Sequence, residues 1–564
     1  LERNRNHVGE LRVLSFAVAL CAAFSFSSTA SANDNSTSGR SHVNLIVAIK
    51  GTSETAERSL QRLGGDVYRH LPIINSLAVN LPSNRVNALR KCSFVSHVSA
   101  DERVQKTDLF TVPSSRADTA WQQYGADGSG VGIAIVDSGV SSEPDFNNLL
   151  LFSRVCASVN FVPGSTTTRD ECGHGTHVAG IAAGNGSSSN LILVYTKTFY
   201  GIAKNANIIS VKVLDQHGQG TVSQVISGIQ WCVSHKSTYN VRVLNLSLGH
   251  PVTESYATDP LCQAVEQAWK GGIVVVCAAG NDGRLNGSQT TGAANEGWGT
   301  NYGSIESPGN DPYVITVGAT KTYDGLRAHD RISTYSSRGP SIGDHILKPD
   351  IIAPGNHVIS VEDQSTYLVG AYASTNQVPY SYYTLTGSVL HDNRPTNRYF
   401  VLSGTSMAAP VVSGAVAMML QKSPSLSPDT VKVRLMVPAD KWCDPNGNYD
   451  PFTYGAGYLN IPASIGSTLV ATQYAMSPTV SEYSNGLVYI DINADIWGSR
   501  AVWGTGTVTS TRAVWGTGAV ACDNSISSSR AVWGTGAWNA PQGTSMSSAG
   551  VDLSVGGIPI QGER

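Results

Sequence analysis

Charge is scarce in this sequence. Only 14% of its 564 residues are Asp, Glu, Lys or Arg, and 38 basic residues stand against 41 acidic ones, a net charge of −3. A chain so near neutrality lacks the basic surface that a nucleic acid or an anionic membrane requires, and both are excluded as principal partners. C-x-x-C pairs are absent, which argues against a thiolate zinc site. No stretch is long and apolar enough to span a bilayer, since 13-VLSFAVALCAAF-24 falls short of the needed length.

That short run has another meaning. Basic residues up to Arg12 precede it and small residues ending in Ala30-Ser31-Ala32 follow it, the order of a secretory signal peptide over residues 1–32 with cleavage after Ala32. An uncleaved anchor is the competing reading. A lipoprotein reading of Cys21 fails because Leu20 stands where a small residue is needed. The mature chain is therefore expected outside the cytoplasm, where disulfides are plausible. Setting aside Cys21 and Cys92 leaves Cys156, Cys172, Cys232, Cys262, Cys277, Cys443 and Cys522, an odd number, so at least one thiol stays unpaired within the chain. Cys277 is the candidate, because 273-IVVVCAAGN-281 reads as a fully buried strand in which Cys serves as a small hydrophobe.

Three regions follow the signal. Residues 43-VNLIVAIK-50, 56-AERSLQRLGG-65, 77-LAVNLP-82 and 84-NRVNALRKC-92 give strand, helix, strand and helix, closed by 94-FVSHVSADERV-104, a small α+β module placed as a pro-segment would be. From about 110 to 465, buried runs alternate with helical stretches: 131-VGIAIVD-137, 207-NIISVKVLD-215, 241-VRVLNLSLG-249, 273-IVVVCAAGN-281 and 313-YVITVGAT-320. Val-, Ile- and Ala-rich runs without polar alternation predict an α/β fold built on a parallel sheet flanked by helices. Function then belongs at the carboxyl ends of the strands, where Asp137, Asp215, Asn245 with Ser247, and Asn281 occur. The last hundred residues carry 500-RAVWGTG-506, 512-RAVWGTG-518 and 530-RAVWGTG-536. Trp497, Trp503, Trp515 and Trp533 are spaced by multiples of six, which suggests a β-rich tail of stacked strands or hairpins, with a low-complexity extension as the alternative.

Chemistry concentrates in three segments, 133-IAIVDSG-139, 173-GHGTHVAG-180 and 403-SGTSMAAP-410. An aspartate closing a buried strand can orient and electrostatically support an imidazole, which His174 supplies at the start of a helix. Ser406 opens the apolar run Met407 to Leu420; there it is either a helix cap or a nucleophile favoured by the helix dipole. His174 and His177 at i, i+3 could ligate a metal, but no H-E-x-x-H motif accompanies them, and His177 reads as a packed helix residue.

Together these segments, in the order Asp, His, Ser, resemble the subtilisin (subtilase) family of serine proteases, in particular its secreted bacterial members; 348-KPDIIAPG-355 and 454-YGAGYLN-460 add to the likeness. The resemblance implies that Asp137 orients His174, that His174 is general base and then acid, and that Ser406 attacks the scissile carbonyl. It also implies that Asn281 supplies an oxyanion-hole amide, and that Ser247, Leu248 and Gly249 with Ala278, Ala279 and Gly280 bind substrate and line the first specificity pocket. Small walls there predict a broad or apolar P1 preference. By the same resemblance the division is signal 1–32, inhibitory propeptide 33–107, peptidase domain 108–465 and repeat-bearing extension 466–564. The chemistry then needs no cofactor, and structural calcium, common in the family, has no compact acidic loop to which it can be assigned. The expected partners are protein or peptide substrates and the chain's own propeptide. 543-GTSM-546 repeats the serine tetrapeptide but lacks the proline and apolar helix, so it is set aside. An idle surface-binding protein acting through the Trp-Gly repeats is the rival reading, opposed by the complete triad.

Overall fold

A computed structural model describes residues 42–72, 75–100, 110–148, 150–191, 194–284, 299–386, 390–391, 393–444, 449–482, 488–491, 508–514, 526–532 and 553–554. The signal segment, the tetrapeptide at 543–546 and Trp497, Trp503, Trp515 and Trp533 lie outside the described residues. The chain divides into two units, Leu1–Val104 and Gln105–Arg564.

In the first unit, strand β1 (His42–Ile49) buries Leu45, Val47 and Ile49 at every second position, the period of a half-buried strand. Helix α1 (Ser53–Arg62) covers that face with Ala56 and Leu60. The sheet is antiparallel in the order β2 (Asp66–Leu71), β3 (Ser76–Pro82), β1 and β4 (Val95–Ala100), with the short helix α2 (Val86–Leu89) before β4. Strand β2 is an addition to the sequence reading. Its residues DVYRHL are mostly exposed and include the charged Asp66 and Arg69, as suits an edge strand, and so carry no apolar alternation to betray it.

The second unit begins with helices α3 (Thr111–Ser115) and α4 (Ala117–Tyr124). Its sheet contains β5 (Gly132–Asp137), β6 (Val155–Asn160), β7 (Asn207–Lys212), β9 (Val241–Leu246), β10 (Val274–Ala278), β11 (Ile315–Lys321), β12 (Arg331–Ile332) and β13 (Ile351–Pro354). They run β12-β11-β10-β9-β5-β7-β6, with β13 also on β11, and every pairing except β11 with β12 is parallel. Each residue of β5, β10, β11 and β13 is buried, which is why these runs lack alternation. Strand β6 escaped the sequence reading because it is an edge strand whose residues alternate between exposed and half-buried.

Helices α5 (His174–Ala183) and α9 (Thr405–Lys422) pack on each other and on the sheet, while α6 (Val222–Ser234) and α7 (Pro260–Lys270) form a second pair; α8 (Tyr367–Asn376) lies between them in sequence. Every residue of α9 from Thr405 to Leu420 is buried, as a helix apolar on all sides must be. In the tail, Val508–Val514 and Ile526–Val532 pair in parallel with Arg512 opposite Arg530 and Val514 opposite Val532, so the opening residues of two of the repeats stand in register. Leu553–Ser554 pairs antiparallel with β8 (Gln219–Gly220).

Cys92, Cys156, Cys172, Cys232, Cys262 and Cys277 are free thiols, so the pairing expected of an exported chain is absent among these six; Cys443 is disulfide-bonded. Cys232 and Cys262 fill the core from α6 and α7 as small hydrophobes do, and burial pushes the Cys232 thiol up to about 12. Cys277 is a buried free thiol in β10, where its strand context put it.

Charge is scarce, yet some of it is fully buried. Asp350 receives Lys348 Nζ at 2.7 Å and Lys432 Nζ at 3.4 Å, and all three side chains are shielded from solvent. Lys432 also donates to the carbonyls of Pro312, Tyr313 and Val314 and to Ser477 Oγ. Burial alone would raise the Asp350 carboxyl, but the two lysines hold it below its ordinary range, while burial drops Lys432 to about 7. Removing the shared anion strands two buried cations. Asp350→Asn is expected to destabilise the fold by about 3–5 kcal/mol, the scale for breaking a buried ion pair, measured by urea unfolding in a Ser406→Ala background to prevent self-digestion.

Candidate active site

Strand β5 delivers Asp137 to the carboxyl edge of the sheet, where it is completely buried. Its Oδ1 accepts from Ser138 N at 2.7 Å and Ser138 Oγ at 3.2 Å, and both carboxylate oxygens face His174 Nδ1, at 2.8 and 3.0 Å. With Nδ1 donating to the carboxylate, Nε2 is the basic nitrogen, and it is buried with no hydrogen-bond partner. The approach is so close that a Cβ on Gly175 would lie 2.1 Å from Gly139 O and 3.2 Å from Asp137 Cβ, which explains the glycine that follows the histidine. His177, three residues on, turns Nε2 to the carbonyls of Val358 and Phe400 and is a packed core residue.

One residue that the sequence reading missed organises this corner. Asp170 accepts from Ser138 Oγ, Cys172 N, Gly173 N, Thr176 N and Thr176 Oγ1, tying β5 to the first turn of α5. Burial raises its carboxyl, against the pull of these donors. Lys212, at the end of β7, grips the same loop through Arg169 O and Glu171 Oε2. Only the D-x-x-G-H spacing hinted at it, as an acid placed to cap a helix.

Ser406 lies in the first turn of α9 and is 6% exposed. Its Oγ donates to Ser247 O at 3.2 Å, so the hydroxyl is not hydrogen-bonded to His174 here. Pro410 within the helix has no N–H and cannot serve the carbonyl four residues earlier, which is Ser406 O. Ser247 Oγ occupies that acceptor instead, at 2.8 Å. Behind it, Asn245 Nδ2 donates to Ser247 Oγ at 2.9 Å and Ser413 Oγ donates to Asn245 Oδ1 at 2.7 Å, a buried chain joining β9 to α9. Asn281 follows β10; its Oδ1 accepts from Thr405 N at 2.9 Å, which fixes the amide and leaves Nδ2 on the other side. Thr405 was also missed by the sequence reading. Ser247–Gly249 and Ala278–Gly280 leave neighbouring strands β9 and β10 side by side. Asp215 stands apart from this group: it accepts from His217 N and Gln219 N as a turn residue. Among the described residues no group of three or more His, Cys, Asp and Glu side chains could hold a metal ion.

A buried Asp–His pair and a helix-start serine at the carboxyl edge of a parallel α/β sheet define the class of serine hydrolases that share this architecture. Residues 128–457 match the Subtilase family model, and residues 13–101 match the model described as "Putative peptidase inhibitor domain". The chain belongs to the subtilase family and is a subtilisin-like serine endopeptidase. It is 34% identical over 391 residues to serine protease AprX of Bacillus subtilis (strain 168), covering 68% of this chain and 77% of that one. Subtilisin E of the same organism is 30% identical over 459 residues, 80% of this chain and 97% of the relative. An alkaline protease of Shouchella clausii is 31% identical over 402 residues, 71% and 81% of the two chains.

The Pro410–Ser247 exchange can be tested. Ser247→Ala leaves Ser406 O buried without its donor and is expected to cost about 1–3 kcal/mol. Adding Pro410→Ala supplies an N–H at the right place and should recover part of that loss, so urea unfolding of the single and double variants, in the Ser406→Ala background, should show a coupling energy rather than additivity.

Proposed function

We propose that this chain is exported as a zymogen and hydrolyses peptide bonds through Asp137, His174 and Ser406. The observation that carries the reading is the fully buried Asp137–His174 contact, with Nε2 unpartnered, on a helix that packs against the buried helix whose first turn holds Ser406. Asp137 holds the imidazole in one tautomer and stabilises the imidazolium. On substrate binding, Ser406 Oγ–H turns from Ser247 O to Nε2, which takes the proton as Oγ attacks the carbonyl carbon and later returns it to the leaving amine. The tetrahedral oxyanion is met by Ser406 N–H, an orphan donor of the first helical turn, and by Asn281 Nδ2. The α9 dipole adds to that stabilisation.

Ser247–Gly249 and Ala278–Gly280 are proposed to bind the substrate backbone and to wall the P1 pocket. Taken alone, those walls support a broad or apolar P1 preference, because none of their side chains is charged. In the proposed division, residues 1–32 direct export, 33–107 inhibit the cleft until removed, 108–465 carry the chemistry, and 466–564 attach the enzyme to a surface or partner without entering the reaction. The first unit and the inhibitor-domain match support the second assignment.

Two substitutions test the mechanism. Ser406→Ala should abolish labelling by an active-site serine probe and lower kcat by on the order of 10⁶, the scale measured in subtilisin itself, a member of the same family. Near-normal peptidase activity in that variant would refute the assignment. Asn281→Leu should reduce kcat by roughly 10²–10³ with little change in KM, again the subtilisin scale; a change confined to KM would make Asn281 a ground-state contact instead.

A further inference from the structure

A third segment enters the space between the two proposed pocket walls. Residues 304-SIESPGN-310 are strapped to both: Glu306 N donates to Ala279 O at 3.1 Å, and His250 and Ser307 exchange backbone bonds at 3.0 and 2.9 Å. A further bond, Asn310 N to Glu306 O at 3.0 Å, closes the turn behind it. The Glu306 side chain therefore has a fixed origin and reaches over two glycines. A Cβ on Gly249 would lie 2.5 Å from Glu306 Oε2, and a Cβ on Gly280 would lie 2.8 Å from its Cγ and 2.9 Å from its Cδ. The Glu306 side chain fills the volume that a side chain at either glycine would take, and the residue as a whole is half-buried.

We infer that Glu306 is a specificity-determining residue that fits this pocket to a lysine or arginine side chain at P1. The inference rests on the reading of Ser247–Gly249 and Ala278–Gly280 as the pocket walls. Glu306 is in no ion pair with a described Lys, Arg or His. The acidic group nearest in effect is Asp282, whose exposed side chain both repels a second charge and shares a hydrogen bond with the Glu306 carboxyl. Burial first, and then the charge of Asp282 and a hydrogen bond to it, push the Glu306 carboxyl well above the usual carboxylate range, so without a bound cation the protonated form is favoured. An entering ammonium or guanidinium reverses that balance, because it compensates the carboxylate with a charge-assisted hydrogen bond in a site with little water. A protonated Glu306 leaves the pocket open to apolar side chains as well, so the small-walled preference and the basic one coexist. The walls expected from the sequence contain no acid; the acid comes from a segment well downstream, which the His250–Ser307 bridge and the Glu306–Ala279 backbone bond bring back between them.

The test is a peptide series identical except at P1, carrying Lys, Arg, Gln, Met and Leu, hydrolysed by the full processed enzyme with active sites counted by a serine probe. The expected kcat/KM for Lys and Arg exceeds that for Gln by roughly 10–100-fold, the scale of one specific pocket contact. Glu306→Gln should collapse that ratio towards one, whereas Glu306→Asp, which keeps the charge, should retain a basic preference. A role confined to packing would affect all five substrates alike and leave the ratio unmoved. Equal kcat/KM for Lys and Gln in the parent enzyme, or an unchanged ratio in Glu306→Gln, overturns the inference while leaving the peptidase reading intact. Failure of the parent to label and to cleave any of the series overturns the peptidase reading and this inference with it.

Discussion

The missing N–H of Pro410 is the constraint around which this site is arranged. A buried helix cannot leave an inner carbonyl unmatched, so the acceptor that Pro410 vacates at Ser406 must be filled from elsewhere. Ser247 fills it, and in doing so joins the end of β9 to the first turn of α9. Asn245 and Ser413 extend the same bond inward, so the position of Ser406 is set by a continuous buried chain rather than by the helix alone. Thr405, bonded to Asn281, fixes the neighbouring strand β10 in the same manner. What the proline costs the helix in backbone bonding is offset by the registration of three elements at one point.

Across the cleft a different device does comparable work. Asp137 and His174 are both fully buried, an arrangement that is unfavourable unless every polar atom near them is matched. Ser138 and Asp170 provide that matching. Asp170 gathers backbone N–H groups from the first turn of α5 and the hydroxyl of Ser138, so the strand that carries the aspartate and the helix that carries the histidine share one acceptor. Nε2 is then the nitrogen of the His174 ring left unmatched, open to a group that arrives from outside.

The scarcity of charge and the burial of some of it belong together. With both faces of the sheet covered, there is little room for solvated side chains along the strands, and buried charge is held in compensated clusters such as Lys348–Asp350–Lys432. Glu306 is not compensated in this way. It is anchored through its backbone to both walls, faces another acid and meets no cation of the described chain, the surroundings from which its proposed role in recognition is drawn.

Much of the fold was legible because its signals are local. Fully buried strands show as unbroken Val and Ile runs, α9 as an apolar stretch of helical length, and the Asp137, His174 and Ser406 segments as glycine-flanked motifs whose residue types have few other uses in combination. Edge strands β2 and β6 were not legible, because a strand half open to solvent has no obligatory apolar pattern. Nor could local patterning pair or unpair cysteines, since whether Cys232 and Cys262 meet a partner depends on which faces α6 and α7 turn inward. The sequence by itself determined which residues are candidates for acyl-transfer chemistry and which runs must be buried, for those follow from side-chain type and period. Only the tertiary structure decided that Ser247 answers Pro410, that Asp170 joins strand to helix, and that Glu306 returns between Gly249 and Gly280, because each depends on a contact between segments distant in the chain, whose meeting is set by the packing of the whole sheet.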